Sequence, residues 1–294
     1  MNAQGQSCYV CQNTDFTKRR GLVRDAPDVV ILECSSCGFV SIRSPDDRGL
    51  EFYSGSGMHG GDLLGIEEWL RETSMDDERR LTQLRSKITN RRLLDVGCGV
   101  GGFLSSARFH ASEVVGVEPE LRLAAHHKDA GLTVKHSISE LVDSSFDVIT
   151  LFHVLEHIPD PRAMLKELGA LLPVGGDAEI IVEVPSSSDA LLTVYESEPF
   201  SHFTYWSCHL NLFNEHTLRR VATQAGLRVN VISQIQRYPL SNHLHRLSKG
   251  APGGHRVWSL IDSPELDAAY AASLARIGAC DTLFASFSLS DEKR

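Results

Sequence analysis

The stretch LLDVGCGVGG, Leu93 to Gly102, decides the fold of this chain. An apolar run leads into Asp95 and then into glycines at positions 97, 99, 101 and 102. Because glycine adopts backbone conformations that other residues avoid, a strand followed by this turn lets a bulky ligand lie directly against the main chain. The stretch therefore predicts a site for a cofactor of the nucleotide type.

Two patterns fit these glycines. Gly97, Gly99 and Gly102 match the dinucleotide fingerprint G-x-G-x-x-G. Asp95, Gly97, Gly99 and Gly101 resemble the D-x-G-x-G-x-G pattern of class I S-adenosylmethionine-dependent methyltransferases. A carboxylate at the tip of the first strand suits a cofactor with a free ammonium group, and it would repel a pyrophosphate. Asp95 therefore favours S-adenosylmethionine, whereas the glycines alone do not decide.

The next strand, Glu113 to Val117, ends in Glu118 and Pro119. A carboxylate at this position lies where either cofactor presents its ribose hydroxyls. Glu118 therefore supports a nucleoside ligand without choosing between the two.

The segment FDVITLFHVLEHIPDP, Phe146 to Pro161, closely resembles the methyltransferase family, and the resemblance extends over about residues 70 to 290. It includes the opening of the fourth strand, the Leu-Glu-His loop at Leu155 to His157, and Asp160 with Pro161 at the start of a helix. The resemblance implies S-adenosylmethionine as the cofactor. The cofactor-binding residues that we assign are Asp95, Gly97, Cys98, Gly99, Gly101, Glu118, Pro119 and His153.

The expected fold is α/β, a doubly wound, seven-stranded, Rossmann-like sheet with a small N-terminal zinc ribbon. Asp160 is a good N-cap, and apolar residues at 164, 165, 168 and 172 give the following helix one buried face. A fifth strand follows at 178–185, a helix at Glu215 to Gln224, a sixth strand at Leu227 to Ser233 and a seventh from Cys280. The resemblance implies strand order 3-2-1-4-5-7-6, with a helical insertion at about residues 240–278.

Four cysteines define the N-terminal module. Cys8 and Cys11 form one C-x2-C pair, and Cys34 and Cys37 form a second after 22 intervening residues, close to the spacing of a zinc ribbon. Four thiolates close a tetrahedral site with no open position, so the metal would be structural. Disulfides and free thiols are the alternatives. The remaining cysteines are scattered at positions 98, 208 and 280, and a reducing compartment favours zinc.

The chain divides into three parts by this interpretation. Residues 1–45 form the zinc-ribbon module, residues 46–90 a linker and the N-terminal helices, and residues 91–294 the methyltransferase domain. The glycine-rich linker near Phe52 and Tyr53 is a candidate lid over the cofactor. An amphipathic helix is expected from about Ile66 to Ile88, with a break near Ser74.

Composition limits the partners. The 294 residues are 42% hydrophobic and carry a formal net charge of −9, which argues against a nucleic-acid binder because such proteins need a basic surface. The first ten residues lack the basic and apolar regions of a signal peptide, and no apolar run reaches the length of a membrane span. We expect a cytoplasmic protein with a small-molecule acceptor and no nucleic-acid or membrane partner. The sequence does not fix the oligomeric state, and a homo-oligomer is possible.

The acceptor is the least defined part of the prediction. A zinc module joined to this domain resembles enzymes of bacterial sugar, surface-polysaccharide and natural-product pathways, which implies O-methylation of a small polar metabolite. A histidine suits deprotonation of a hydroxyl near neutral pH. We favour His157 and His209 as catalytic residues over His202, His243 and His245.

Several alternatives remain at this stage. N- or C-methylation fits the same domain, and a nicotinamide-dependent oxidoreductase or a non-catalytic zinc-ribbon adaptor represents other classes of protein. Glu156 and His157 could serve only to cap a helix. His126 and His127 lie in a polar stretch and are expected at the solvated surface.

Overall fold

The computed structural model describes residues 7–42, 53–55 and 65–290. Its strands are β1 Phe16–Lys18, β2 Ile31–Cys34, β3 Val40–Ile42, β4 Arg92–Val96, β5 Glu113–Val117, β6 Val134–Lys135, β7 Val148–Phe152, β8 Glu179–Pro185, β9 Asn211–Leu212, β10 Leu227–Ile235 and β11 Thr282–Leu289. Its α-helices are α1 Ile66–Ile88, α2 Gly102–Ala107, α3 Ala124–Asp129, α4 Pro161–Ala170, α5 Ala190–Thr193, α6 Glu198–Thr204, α7 Glu215–Gln224, α8 Leu240–Lys249, α9 Gly254–Val257 and α10 Pro264–Arg276.

The large sheet has seven strands in the order β10-β11-β8-β7-β4-β5-β6. Strands β6, β5, β4, β7 and β8 are parallel, while β11 runs antiparallel to both of its neighbours. Numbered along the domain, this is the order 3-2-1-4-5-7-6, so the predicted fold class is confirmed. The central strands are buried on both faces and mostly apolar, with Glu179 and Glu183 as the charged residues of β8, as expected for strands covered by helices on each side.

Local signals placed the helices well. The Asp160 carboxylate caps α4 by accepting from the Ala163 amide at 3.0 Å, and Asn214 caps α7 by accepting from the Thr217 amide at 2.8 Å. Helix α7 has the predicted bounds. Helix α1 is one continuous helix without the expected break, and the Ser74 hydroxyl bonds to the Arg71 carbonyl of the preceding turn.

The N-terminal module is joined to the large domain by a shared sheet. Strands β1, β2 and β3 form an antiparallel ribbon, and β9, from the segment after β8, pairs antiparallel with β3. The core beneath it combines residues of both parts, such as Ile31 and Tyr205. Phe39 of the module also packs against Phe213, with ring centroids 5.8 Å apart. The module therefore fixes the segment that leads from β8 to α7.

The insertion between β10 and β11 contains α8, α9, a 3-10 turn at Ser259–Ile261 and α10. Within the described residues, no helix is both long and apolar enough to cross a bilayer.

Candidate active site

A cavity of about 1080 Å³ opens at the carboxyl ends of β4, β5, β7 and β8. Helix α1 supplies one wall through Trp69 and Thr73, and the insertion supplies another through Arg246 and Gly253. Small-molecule sites usually occupy roughly 300–1,000 Å³. This cavity therefore has room for a cofactor and a second molecule. Crevices at the carboxyl ends of parallel strands are where such sheets bind ligands.

The glycine turn is formed as expected. Gly97 and Gly101 have φ angles of 74° and 79°, in the left-handed region. A Cβ at Gly97 would lie 2.4 Å from Cγ2 of Val154, and a Cβ at Gly101 would lie 2.4 Å from Cδ1 of Leu132. Both conformation and space therefore exclude a side chain at these two positions.

Asp95 is 3% exposed near the end of β4 and lines the cavity. Burial raises the pKa of Asp95 to about 7, although the hydrogen bond from Thr150 and the charge of Arg80 oppose the rise. The Thr150 hydroxyl donates to Oδ1 at 2.7 Å. A cation placed beside this carboxyl would favour its ionised form. The site is therefore chemically suited to an ammonium group.

Glu118 is held by backbone donors on both carboxylate oxygens. The Gly99 amide donates to Oε2 at 2.8 Å and the Glu120 amide to Oε1 at 2.9 Å. Burial raises the pKa of Glu118, and these backbone bonds oppose the rise. Each oxygen of a carboxylate accepts about two hydrogen bonds. Glu118 therefore retains capacity to accept from a ligand hydroxyl in the cavity.

His126 and His127 are not solvated surface residues, contrary to the expectation from sequence. His127 is 4% exposed, and its Nε2 bonds to the Gly99 carbonyl at 2.7 Å. The His126 Nε2 bonds to the Val100 carbonyl at 2.9 Å. Burial lowers the pKa of His127 and keeps its ring neutral. The two histidines support the glycine turn from behind, a role that depends on tertiary contacts.

The structure brings most of the expected cofactor-binding residues to the cavity wall. These are Asp95, Gly97, Cys98, Gly99, Glu118, Pro119 and His153. Gly101 is set back against Leu132 instead. Tyr53, from the candidate lid, also lines the cavity and donates to the His157 carbonyl at 3.1 Å. Phe52 lies outside the described residues.

A buried ion-pair network beneath the cavity was missed from sequence. Glu183 of β8 has no exposed surface and pairs with Arg80 at 2.6 Å and Arg79 at 2.8 Å. Burial alone would raise the pKa of Glu183, but its bonds to His153 and the arginine charges hold it well below its usual range. One feature of the sequence could have indicated this network: Arg80 lies on the same helix face as the apolar Leu84, which places a charge on the buried side of α1.

His153 joins this network to the catalytic candidates. Its φ angle is 57°, uncommon outside glycine, and its ring nitrogens lie 3.3 Å from Glu156 and 3.4 Å from Glu183. Arg237 Nη1 lies 2.9 Å from its Nε2 and also pairs with Asp76 of α1. Burial and the Arg237 charge lower the pKa of His153, but bonds to the two glutamates outweigh them and raise it. This strained residue orders the floor of the cavity.

His157 and His209 face each other, with ring centroids 5.0 Å apart. The His157 Nδ1 bonds to the Cys208 carbonyl at 2.9 Å, and the His209 Nδ1 bonds to the Thr204 carbonyl at 2.8 Å. A carbonyl only accepts, so each Nδ1 carries the hydrogen and each Nε2 keeps its lone pair. Burial lowers the pKa of His157. Burial, followed by repulsion from a protonated His157, lowers the pKa of His209 to about 4. Both rings are neutral bases at pH 7.

Glu156 stands behind this pair. It is 1% exposed, and its Oε1 lies 3.3 Å from Nδ1 of His153. Burial raises its pKa, but the neighbouring histidines, His153 first, lower it overall, so the carboxylate is ionised. Ligand atoms of Glu156, His157 and His209 lie within 4.8 Å of one another, close enough for a metal ion to bridge them. The three also form a carboxylate-supported pair of bases.

The other candidate histidines are less suited to catalysis. His202 is exposed on α6 and does not line the cavity. His243 lines the cavity, but its two nitrogens bond to Tyr270 at 2.7 Å and Gln236 at 3.2 Å. His245 packs against Trp258 away from the cavity.

The four N-terminal cysteines converge, with all four sulfurs within 4.8 Å of one another. Cys8 and Cys37 sulfurs are 3.6 Å apart, and those of Cys11 and Cys34 are 3.4 Å apart. Zinc–sulfur bonds of about 2.3 Å place tetrahedral ligands roughly 3.8 Å apart. Backbone amides of the knuckles also point at the sulfurs of Cys8 and Cys34. The donor set therefore fits a structural zinc ion.

Comparison with known proteins decides the family. A sequence model described as a methyltransferase domain matches residues 68–231, more than half of the chain. The chain belongs to the methyltransferase-domain family. It is 30% identical over 177 residues to a ubiquinone biosynthesis O-methyltransferase of Coxiella burnetii, covering 55% of this chain and 75% of the relative. A protein of the same name from Bordetella avium is 35% identical over 107 residues, 33% of this chain and 44% of the relative.

Solved structures show the same fold. Magnesium protoporphyrin IX methyltransferase from Synechocystis PCC 6803, with bound S-adenosylhomocysteine, superposes with a TM-score of 0.50 at 12% identity. The match covers 82% of this methyltransferase and 97% of that chain. The protein is an S-adenosylmethionine-dependent methyltransferase, and the nicotinamide-dependent oxidoreductase considered from sequence is excluded.

Proposed function

We propose that this methyltransferase transfers the methyl group of S-adenosylmethionine to a hydroxyl oxygen of a small polar metabolite. The observation that carries the proposal is the pair of neutral histidines, His157 and His209, whose Nε2 lone pairs are left available beside the buried Glu156 carboxylate. Nitrogen acceptors need little base assistance, so a carboxylate-supported base favours an alcohol. The relatives named O-methyltransferases support the same choice of atom.

The cofactor would occupy the half of the cavity bordered by the glycine turn. Asp95 would take the ammonium of the methionine moiety, and Glu118 would accept from the ribose hydroxyls. Their burial and spare acceptor capacity support this placement. S-adenosylmethionine supplies a sulfonium methyl that is already a strong electrophile, so the protein mainly aligns the acceptor and removes its proton.

The reaction that we infer has one proton transfer and one displacement. The acceptor hydroxyl gives its proton to Nε2 of His157 or His209, and its oxygen attacks the methyl carbon. The carbon–sulfur bond breaks, and its electron pair goes to sulfur, leaving S-adenosylhomocysteine. The imidazolium that forms is stabilised by the negative charge of Glu156, in the way a buried carboxylate supports a catalytic histidine.

The class of acceptor remains a proposal. A sugar or natural-product intermediate rests on the resemblance of the chain's organisation, and none of the relatives reported above is named for such a substrate. The cavity itself combines aromatic side chains, Phe200 and Phe203, with charged ones, Arg246 and Arg256. This lining suits a polar molecule with an apolar face.

The test of the base compares three histidine variants. Turnover is measured with methyl-labelled S-adenosylmethionine on an acceptor found by screening hydroxylated metabolites, and NMR locates the new methyl group. Loss of a general base costs roughly 10²–10⁴-fold in rate, so we expect such losses for His157→Ala, His209→Ala or both, with S-adenosylhomocysteine affinity retained. His202→Ala, an exposed histidine of the same segment, is the matched control.

Two outcomes would contradict this mechanism. Near-normal turnover of both His157→Ala and His209→Ala would rule out a histidine base. A new methyl group on nitrogen or carbon would rule out O-methylation. Turnover that is lost on brief chelation while one zinc ion per chain is retained, and that a divalent cation restores, would replace the free base by a metal held at Glu156, His157 and His209.

A further inference from the structure

Arg246 of α8 is a buried cation without a counter-charge. It is 5% exposed and lines the cavity. Its Nε has no hydrogen-bond partner, and its guanidinium enters none of the hydrogen bonds or ion pairs found among residues 7–42, 53–55 and 65–290. It is stacked between Phe200 and Phe203, with its guanidinium carbon 5.4 Å and 5.1 Å from the ring centroids.

This arrangement is unfavourable for the protein without ligand. Removing a charge from water is costly unless a partner replaces the lost hydration, and stacking on aromatic rings compensates only in part. Burial accordingly lowers the pKa of Arg246. Its acidic neighbour, Asp189, forms no ion pair with Arg246 among the described residues, and its Oδ1 instead accepts from the Leu191 amide at 2.7 Å.

The surroundings of Arg246 form what we call the acceptor-side lobe of the cavity. It is lined by Phe200, Phe203, Asn242, Arg246, His255 and Arg256. A second cation, Arg256, therefore faces the same space. The Asn242 amide oxygen is already engaged by the Gly254 amide and by His255, both at 3.2 Å. Asp189 and Asp281 also line the cavity, but among the described residues neither forms an ion pair with Arg246 or Arg256.

We propose that the acceptor-side lobe binds an anionic group of the acceptor, a phosphate or a carboxylate, through Arg246. The planar guanidinium presents paired donors that match either group. This inference deepens the proposed function and rests on it for the identity of the second molecule. It narrows the acceptor to a hydroxylated acid.

Helix α6 relates the anion to the reacting hydroxyl. Phe200 and Phe203 position Arg246, and the carbonyl of Thr204, at the end of the same helix, fixes His209. Helix α6 therefore contacts both Arg246 and His209.

Binding of three matched probes tests the proposal. Phenyl phosphate, benzoate and neutral benzyl alcohol are titrated by calorimetry into full-length protein saturated with S-adenosylhomocysteine. We expect at least one anion to bind more tightly than benzyl alcohol. Comparison of phenyl phosphate with benzoate shows whether the lobe prefers a phosphate or a carboxylate. Loss of a charged hydrogen-bonding partner usually weakens binding roughly ten- to hundredfold, and we expect this for Arg246→Gln.

Arg219→Gln, at an exposed arginine of α7, is the control and should bind the anions like the wild type. S-adenosylhomocysteine affinity, measured for each variant, reports whether the domain is still folded. The proposal is overturned if neither anion binds better than benzyl alcohol, or if Arg246→Gln binds the anions unchanged. A methyl group found on nitrogen would contradict the proposed O-methylation and leave these binding results intact.

Discussion

At the scale of single residues, the decisive feature is how backbone carbonyls set the tautomers of two half-buried histidines. The carbonyl of Cys208 accepts a hydrogen bond from Nδ1 of His157, and the carbonyl of Thr204 accepts one from Nδ1 of His209. The opposite nitrogens are thereby kept as acceptors in the cavity. No motif encodes these bonds, because the Thr204 carbonyl ends helix α6 and the Cys208 carbonyl lies in the turn that follows, and both are brought to the histidines by the tertiary fold.

The protonation of His209 gives a pH prediction. Burial, with the charge of His157, lowers the pKa of His209 from 6.5 to about 4, while Glu156 opposes this. A lowered pKa means that the neutral base persists as the pH falls. The acid limb of kcat/KM should therefore lie below 6.5, and activity should survive at pH 6. The pH profile of kcat/KM on an identified acceptor checks this.

Glu156→Gln serves as the companion variant. It removes the charge that stabilises the imidazolium, so we expect kcat to fall roughly ten- to hundredfold with cofactor affinity retained. An acid limb at or above 6.5 in the wild type would contradict the assignment of a buried neutral base.

Residue-level prediction from sequence succeeded where the cause was local. The positive φ of Gly97 and the capping role of Asp160 depend on neighbours in the chain. It failed where partners are distant. Arg80 pairs with Glu183 across 103 positions, and Arg237 pairs with Asp76 across 161. Such pairs follow from the tertiary fold, which a pattern in one segment does not contain.

At the scale of elements, the N-terminal four-cysteine module braces the segment between β8 and α7. Gln224 of α7 donates to the Val10 carbonyl at 2.9 Å, and Asn214 donates to the Gly38 carbonyl at 3.2 Å. Arg19 donates to the Tyr205 hydroxyl at 2.7 Å. The module therefore holds both ends of the segment that carries His209. The cysteine spacing predicted a metal site, but the pairing of β3 with β9 was not predictable because β9 has only two residues.

Removal of the zinc should loosen this brace. We propose that Cys8, Cys11, Cys34 and Cys37 bind one zinc ion, and that Cys34→Ser lowers the zinc content and the melting temperature, because metal binding supplies folding energy to such modules. Turnover should fall more than S-adenosylhomocysteine affinity, since the glycine turn lies on another element. Elemental analysis, thermal unfolding and calorimetry measure the three effects.

Cys280→Ser is the matched control for the zinc measurement, because Cys280 is buried in a separate cluster. Its zinc content should equal that of the wild type. Zinc content unchanged in Cys34→Ser would contradict the four-cysteine site.

At the scale of the whole molecule, one sheet positions every part of the site. Strands β4 and β5 present the cofactor residues, and the irregular segment after β8 presents His209. Helix α1 and the insertion close the cavity from opposite sides. The α/β class was predictable because apolar strands alternate with amphipathic helices, and the strand order was implied by the resemblance to the methyltransferase family. The contribution of helix α1 to the cavity wall was not predictable, because its charged residues face inward only once the sheet is assembled.

The central claim is that the glycine turn and Glu118 bind S-adenosylmethionine. The most direct test is calorimetric titration of S-adenosylhomocysteine into the wild type, Glu118→Ala and the control Glu113→Ala, an exposed glutamate at the other end of the same strand. Loss of a charged partner predicts roughly ten- to hundredfold weaker binding for Glu118→Ala, about 1.5–3 kcal/mol, and no change for the control. Undiminished affinity of a folded Glu118→Ala protein, or tighter binding of a nicotinamide dinucleotide by the wild type, would contradict the account.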